Sequence, residues 1–185
     1  NMPFLVDSVT MAINRGNRTA HWIVHPLISV TRDAQGKIQT LTSAAQAGAE
    51  GRTDPVESVI MVECDRIVRA QDQQALCDEI QRVLRDVRAA VQDWQPMLAR
   101  AQAVAAAAAQ SSLLSDTGRH EGVEFLRWLE DRHFTFLGAR DYDIKRDAQG
   151  VSLVAKPDSG LGILRGSVQT TETKLPPQAV ALRDS

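Results

Sequence analysis

The chain predicts an α+β fold, and three features of its sequence carry that prediction. Apolar residues recur at helical spacing near the start, β-branched runs joined by a turn follow, and a long heptad seam occupies the middle. At ~100–200 residues per domain, the length fits one domain or two small ones. A division is expected near Leu114. Residues 1–114 form an α/β unit ending in a long helical arm, and residues 115–185 form a second helix, a β-hairpin and a loose tail.

Each element has a local reason. Pro3 suits the first turn of a helix, where its missing N–H costs nothing. Leu5, Val6, Val9 and Ile13 share a helical face and Gly16-Asn17 stops the run, so a helix is expected over 3–15. Thr19 to Thr31 is β-branched and apolar and reads as a strand, with an edge or bulge at Pro26, which cannot donate to a ladder. Asp33-Ala34-Gln35-Gly36 turns the chain into a short strand from Ile38 to Leu41. Ser43 to Pro55, rich in Ala, Gly and Ser, reads as a mobile loop. Val59, Ile60, Met61 and Val62 make Glu57 to Glu63 a buried strand.

Leu76, Ile80, Val83, Val87, Ala90, Trp94, Met97, Ala101, Val104 and Ala108 alternate spacings of four and three without a slip. Asp72 is the expected N-cap of this helix, and Pro96 is expected to kink or break it near Gln95. The second helix follows Asp116, with Val123, Leu126 and Leu129 on one face and Phe125 and Trp128 beside it. His133 to Ile144 alternates as a strand, with Phe134, Phe136, Gly138, Arg140, Tyr142 and Ile144 on one face. Arg146-Asp147-Ala148-Gln149-Gly150 then repeats Arg32-Asp33-Ala34-Gln35-Gly36 residue for residue. Beyond Pro157 the chain is punctuated by Gly and Pro, and the tail past Leu175 reads as loosely held.

Composition excludes function classes without naming one. Lys and Arg total 21 against 23 Asp and Glu, a net charge of −2, without the basic excess of a nucleic-acid binder. No segment approaches the ~20 apolar residues that span a bilayer. Cys64 and Cys77 have no paired spacing, which fits a reducing or indifferent compartment. Asn1-Met2-Pro3-Phe4 lacks a basic leader and reads as the interior of a longer chain.

The local motifs have bland readings. Gly160, Gly162 and Gly166 spell GxGxxxG, but a dinucleotide site needs a helix directly after the glycines. Here Ser167 to Thr173 is rich in Ser and Thr, and Pro176-Pro177 follows. His120-Glu121-Gly122-Val123-Glu124 resembles a zinc-protease helix without its second His, and reads as an acidic first turn that complements the helix dipole. His21 and His25 lie too far apart along a strand for one metal. Arg82, Arg85 and Arg88 are interleaved with Asp78, Glu79, Asp86 and Asp93, a solvated face with an Asp78–Arg82 pair.

Met2-Pro3-Phe4-Leu5-Val6-Asp7-Ser8-Val9 resembles the MPFLVDSV stretch of the large bacterial NAD-specific glutamate dehydrogenases. The resemblance continues in order through His25-Pro26, Arg32-Asp33 with Gly36, Glu57-Ser58, Asp86-Val87-Arg88, and Val91 with Asp93-Trp94. Phe125-Leu126 with Trp128-Leu129, His133-Phe134-Thr135-Phe136-Leu137-Gly138 and Ser159-Gly160-Leu161-Gly162-Ile163-Leu164 complete it. Ala139, Asp141 and Pro96 depart from the family pattern.

The resemblance implies an ACT-like, ferredoxin-like βαββαβ unit in a non-catalytic N-terminal segment, serving regulation or assembly. It implies no catalytic, metal or cofactor residue here, with NAD bound elsewhere in a cytoplasmic parent enzyme. The implied partners are the remaining domains of the polypeptide, further copies of the chain and an amino-acid effector. The candidate effector or subunit-contact turn is Met2, Pro3, Phe4, Leu5, Asp7 and Ser8. It is similar to the DxPGLL turn of ACT domains, with Asn1 in place of Asp and Phe4 in place of Gly. A stand-alone ACT-like sensing or dimerisation module is the alternative.

Overall fold

The computed structural model describes residues 2–113, 115–147, 150–166 and 172–176. Asn1, Leu114, Ala148-Gln149 of the second predicted turn, Ser167–Thr171 and the predicted loose tail from Pro177 onward lie outside the described residues. The chain divides into two compact units, Asn1–Arg85 and Asp86–Ser185.

In the first unit, α1 (Leu5–Arg15) buries Val9, Ala12 and Ile13, the face its spacing predicts. Asp7 in the first turn and Arg15 in the last complement the helix dipole. The strand expected over 19–31 breaks at His25-Pro26 into β1 (Ala20–Val24) and β2 (Leu27–Arg32). Antiparallel to β2 run β3 (Ile38–Ser43) on one side and β4 (Val56–Ser58) on the other. β1 pairs antiparallel with β5 (Met61–Cys64).

The strand expected over 57–63 is therefore two short strands, split at Val59-Ile60 opposite the Pro26 break. There the Val59 N–H donates to Pro26 O at 3.2 Å. Val59 and Met61 are exposed, not buried as expected, because the paired break interrupts the alternation. The loop expected over 43–55 contains a helix, α2 (Ala44–Ala49). Ser43 caps it by accepting the Gln46 N–H at 3.1 Å, and Ala47 is buried.

Counting each broken strand once, the first unit runs α, β, β, α, β and then into α3 (Ala70–Gln92). This is the mixed helix-and-sheet architecture expected, but the described residues do not lay out the full βαββαβ succession. α3 leads into α4 (Trp94–Ala109) and not into a strand. Asp72 is not its cap. It lies inside the first turn, and its carboxylate takes the Arg69 guanidinium. Arg82 bonds Glu79, three residues back, while Asp78 accepts from Gln74.

The helix breaks at Asp93, and Pro96 falls in the first turn of α4, where it is tolerated. The break also resets the buried face. Ala90 and Met97 of the predicted seam are buried, but beyond Met97 the buried position is Ala105, and Trp94 and Val104 of the seam are 43% and 50% exposed.

In the second unit, α4 packs on α5 (Asp116–Trp128), so the far half of the expected arm lies with the residues that follow it. Ser115 caps α5 by accepting the Gly118 N–H, and the helix runs into a π-helical turn, Leu129–His133. The strand expected from His133 to Ile144 is not continuous. Its start is the π-helical turn, and its remainder divides between β6 (Gly138–Ala139) and β7 (Tyr142–Asp147), which belong to different sheets. β6 pairs with β9 (Leu161–Gly162). β7 pairs with β8 (Gly150–Ala155), whose other side takes β10 (Glu172–Lys174).

Candidate functional site

The turn singled out from sequence forms the mouth of a concavity of about 430 Å³. Met2, Pro3, Phe4, Leu5, Val6, Asp7 and His25 line it. Five of the six predicted residues thus come together, and Ser8 does not line the space. Sequence reading missed Val6 and His25 as lining residues. His25 could have been found from His25-Pro26, which places it at the strand break.

Phe4 occupies the position before the first helical residue with φ 66° and ψ 5°, the left-handed region. That conformation costs an L-residue roughly 1–2 kcal/mol, and an aromatic side chain does nothing to relieve it. Phe4 gives the helix no side-chain cap, and the residue is 51% exposed. The left-handed backbone at Phe4 thus carries a large apolar side chain that is about half exposed. The Ser8 N–H donates to Phe4 O at 3.1 Å and fixes the first turn.

The other predicted positions are engaged structurally. His21 Nε2 lies 2.7 Å from Asp65 Oδ1, and the Thr19 N–H donates to Asp65 Oδ2 at 2.7 Å. The Thr19 N–H first, and His21 second, hold the Asp65 carboxyl below its ordinary range. His120, Glu121 and Glu124 lie on α5, where Glu124 pairs with Arg127. Among the described residues no group of three or more His, Cys, Asp or Glu could hold a metal ion.

The residue that sequence reading undervalued is Asp93. Its side chain is 5% exposed and sits between α3 and α4. Oδ2 accepts the Gly162 N–H at 2.7 Å and Arg165 Nε at 2.9 Å, and Oδ1 accepts Arg165 Nη2. The Arg165 guanidinium, followed by the Gly162 N–H, holds this carboxyl below the usual carboxylate range. The glycines of GxGxxxG therefore present an amide to an internal carboxylate, and no helix opens at Gly162 to receive a pyrophosphate. The signal available in the sequence was an acidic residue placed just before the expected proline break.

Residues 1–80 match the family model described as glutamate dehydrogenase, ACT1 domain. The chain is 35% identical over 168 residues to an NAD-specific glutamate dehydrogenase of Halomonas elongata, covering 89% of this chain and 10% of that protein. It is 34% identical over 166 residues to an NAD-specific glutamate dehydrogenase of Pseudomonas aeruginosa, again covering 89% of this chain and 10% of the relative. The chain therefore spans about a tenth of the length of these relatives. No solved structure matches it.

Proposed function

Because the chain is homologous to the N-terminal region of NAD-specific glutamate dehydrogenase, we propose that it is a non-catalytic regulatory and assembly segment of such an enzyme. The parent reaction is the oxidative deamination of L-glutamate to 2-oxoglutarate and ammonia, with NAD reduced to NADH. The residues for that chemistry lie in other parts of the polypeptide, and the parent is a cytoplasmic homo-oligomer. No helix among the described residues is long and apolar enough to cross a membrane.

The observation that carries the reading is the exposed, left-handed Phe4 beside the concavity of Met2–Asp7 and His25. In the turn it is similar to, glycine at this position lets a ligand approach the backbone closely. A phenylalanine ring fills that approach and offers apolar area. Burying it contributes roughly 1.5–3 kcal/mol, which favours packing or subunit contact over effector capture. The concavity itself supports the second reading, an ACT-like module that senses an amino acid.

Isothermal titration of the protein with NAD and with a panel of amino acids, alongside mass by light scattering, tests both. Self-association without heats of binding is the expected result. Micromolar NAD binding contradicts the non-catalytic assignment, and saturable binding of one amino acid to a monomer selects the sensing module.

A further inference from the structure

The Gly160-Leu161-Gly162…Gly166 motif is not used by the functional reading, yet its glycines are required by the backbone. Gly162 has φ +60°, and a Cβ there would lie 2.1 Å from Leu137 O. A Cβ at Gly160 would lie 2.1 Å from Leu164 O. This close packing directs the Gly162 N–H at Asp93, while Arg165 closes on the same carboxylate with two donors. One backbone amide and a guanidinium fork are the donor set of a carboxylate receptor, and here the occupant belongs to the chain itself.

Beyond the cradle the segment packs on α4 through half-buried side chains only: Leu161 and Leu164 are half-buried, and Ile163, Arg165 and Gly166 are exposed. β9 is two residues long and pairs only with the two residues of β6 among the described residues. The Ile163 N–H donates to Leu137 O at 2.9 Å and Arg140 Nη2 donates to Leu164 O, while the Ile163 side chain is exposed. Segments with few buried apolar contacts open at low free energy, and they open as contiguous units. We propose that residues 160–166 form a strap buckled to the α3–α4 corner by a carboxylate cradle, Gly162 N–H with Arg165, whose resident is Asp93. Loss of the resident carboxylate opens the strap as one unit, and the vacated cradle accepts a small free carboxylate.

Native-state hydrogen exchange on the intact protein tests this, comparing wild type, Asp93→Ala and Arg165→Gln. In Asp93→Ala the amides of Gly162, Ile163 and Arg165 are expected to exchange faster together, by roughly tenfold or more. Sodium formate is expected to slow them again, where sodium chloride at equal ionic strength does not. A rise confined to the Gly162 amide overturns the single-unit strap, and absence of any formate effect overturns the cradle. Arg165 is 55% exposed, so Arg165→Gln is expected to fold. It decides the matter if Asp93→Ala does not fold, since unchanged exchange across 162–165 in that variant contradicts the proposal.

Discussion

Both compact units bury apolar residues, but the second adds an internal ion pair to its core. The first buries Val9, Ala12 and Ile13 of α1 together with Val30 of β2, and its ion pairs are exposed or, for Arg52 with Asp54, half-buried. The second has at its helix corner a nearly buried carboxylate shared by a glycine amide and an arginine. An apolar core tolerates small shifts because dispersion and burial are non-directional. A carboxylate cradle does not, because each donor must reach an oxygen at hydrogen-bond distance. Both units should therefore respond to lost volume, and the second also to lost charge or misplaced backbone at Asp93.

The largest expected effect sharpens that contrast. Ile13 is 2% exposed, so Ile13→Ala should cost roughly 2–5 kcal/mol in denaturant melts. The loss should leave hydrogen exchange at Gly162 unchanged. Gly162→Ala is the counterpart in the second unit. Its Cβ would meet Leu137 O and its φ is left-handed, so a loss of about 2–4 kcal/mol is expected, carried by overlap and backbone strain. A melt of Gly162→Ala within 0.5 kcal/mol of wild type, on the order of a surface substitution, would remove the distinction between the units.

A smaller effect follows from α3. Ile80 lies on the predicted seam but is only half-buried. Ile80→Ala should therefore cost less than Ile13→Ala, about 1–2 kcal/mol.

The pH dependence has a definite sign. Asp93 in the folded protein titrates below its unfolded value, which is ~3.9. Its contribution is fully present above that unfolded value and is lost as pH falls through the folded one. Wild type and Asp93→Asn should differ by a constant amount from pH 8 to pH 5, begin to converge below about pH 4, and meet only as pH falls through the lower folded value. Convergence on the alkaline side would assign the effect to another group.

Much of the fold was legible where burial sets the pattern. The face of α1, the hairpin of β2 and β3, the helix break before Pro96 and the buried Val123 of α5 all follow from spacing or from a missing N–H. What was not legible depends on partners remote in sequence. The strand split at Val59-Ile60 is set by Pro26 across the sheet, and the role of Asp93 by a glycine and an arginine some seventy residues away.

The repeated pentapeptide makes the same point. Around Asp33 the chain makes a wide turn in which Asp33 Oδ1 accepts the Gln35 and Lys37 N–H groups, and Arg32 pairs with Ile38. In the identical second copy Asp147 pairs directly with Gly150. The five residues alone do not choose between these registers; the flanking strands do. For the candidate turn, the grouping of Met2, Pro3, Phe4, Leu5 and Asp7 was readable from the sequence, whereas the lining by Val6 and His25 was not. The left-handed backbone of Phe4 was not, because nothing local requires it.

The proposed contact role of the Met2–Asp7 turn makes assembly depend on Phe4. Its most direct test is Phe4→Gly, with mass by light scattering and amino-acid affinity by calorimetry measured on the same preparation. Glycine relieves the left-handed strain, so the variant should fold, with a smaller assembled mass and no change in amino-acid response. An unchanged mass with an altered affinity for an amino acid would contradict the contact role.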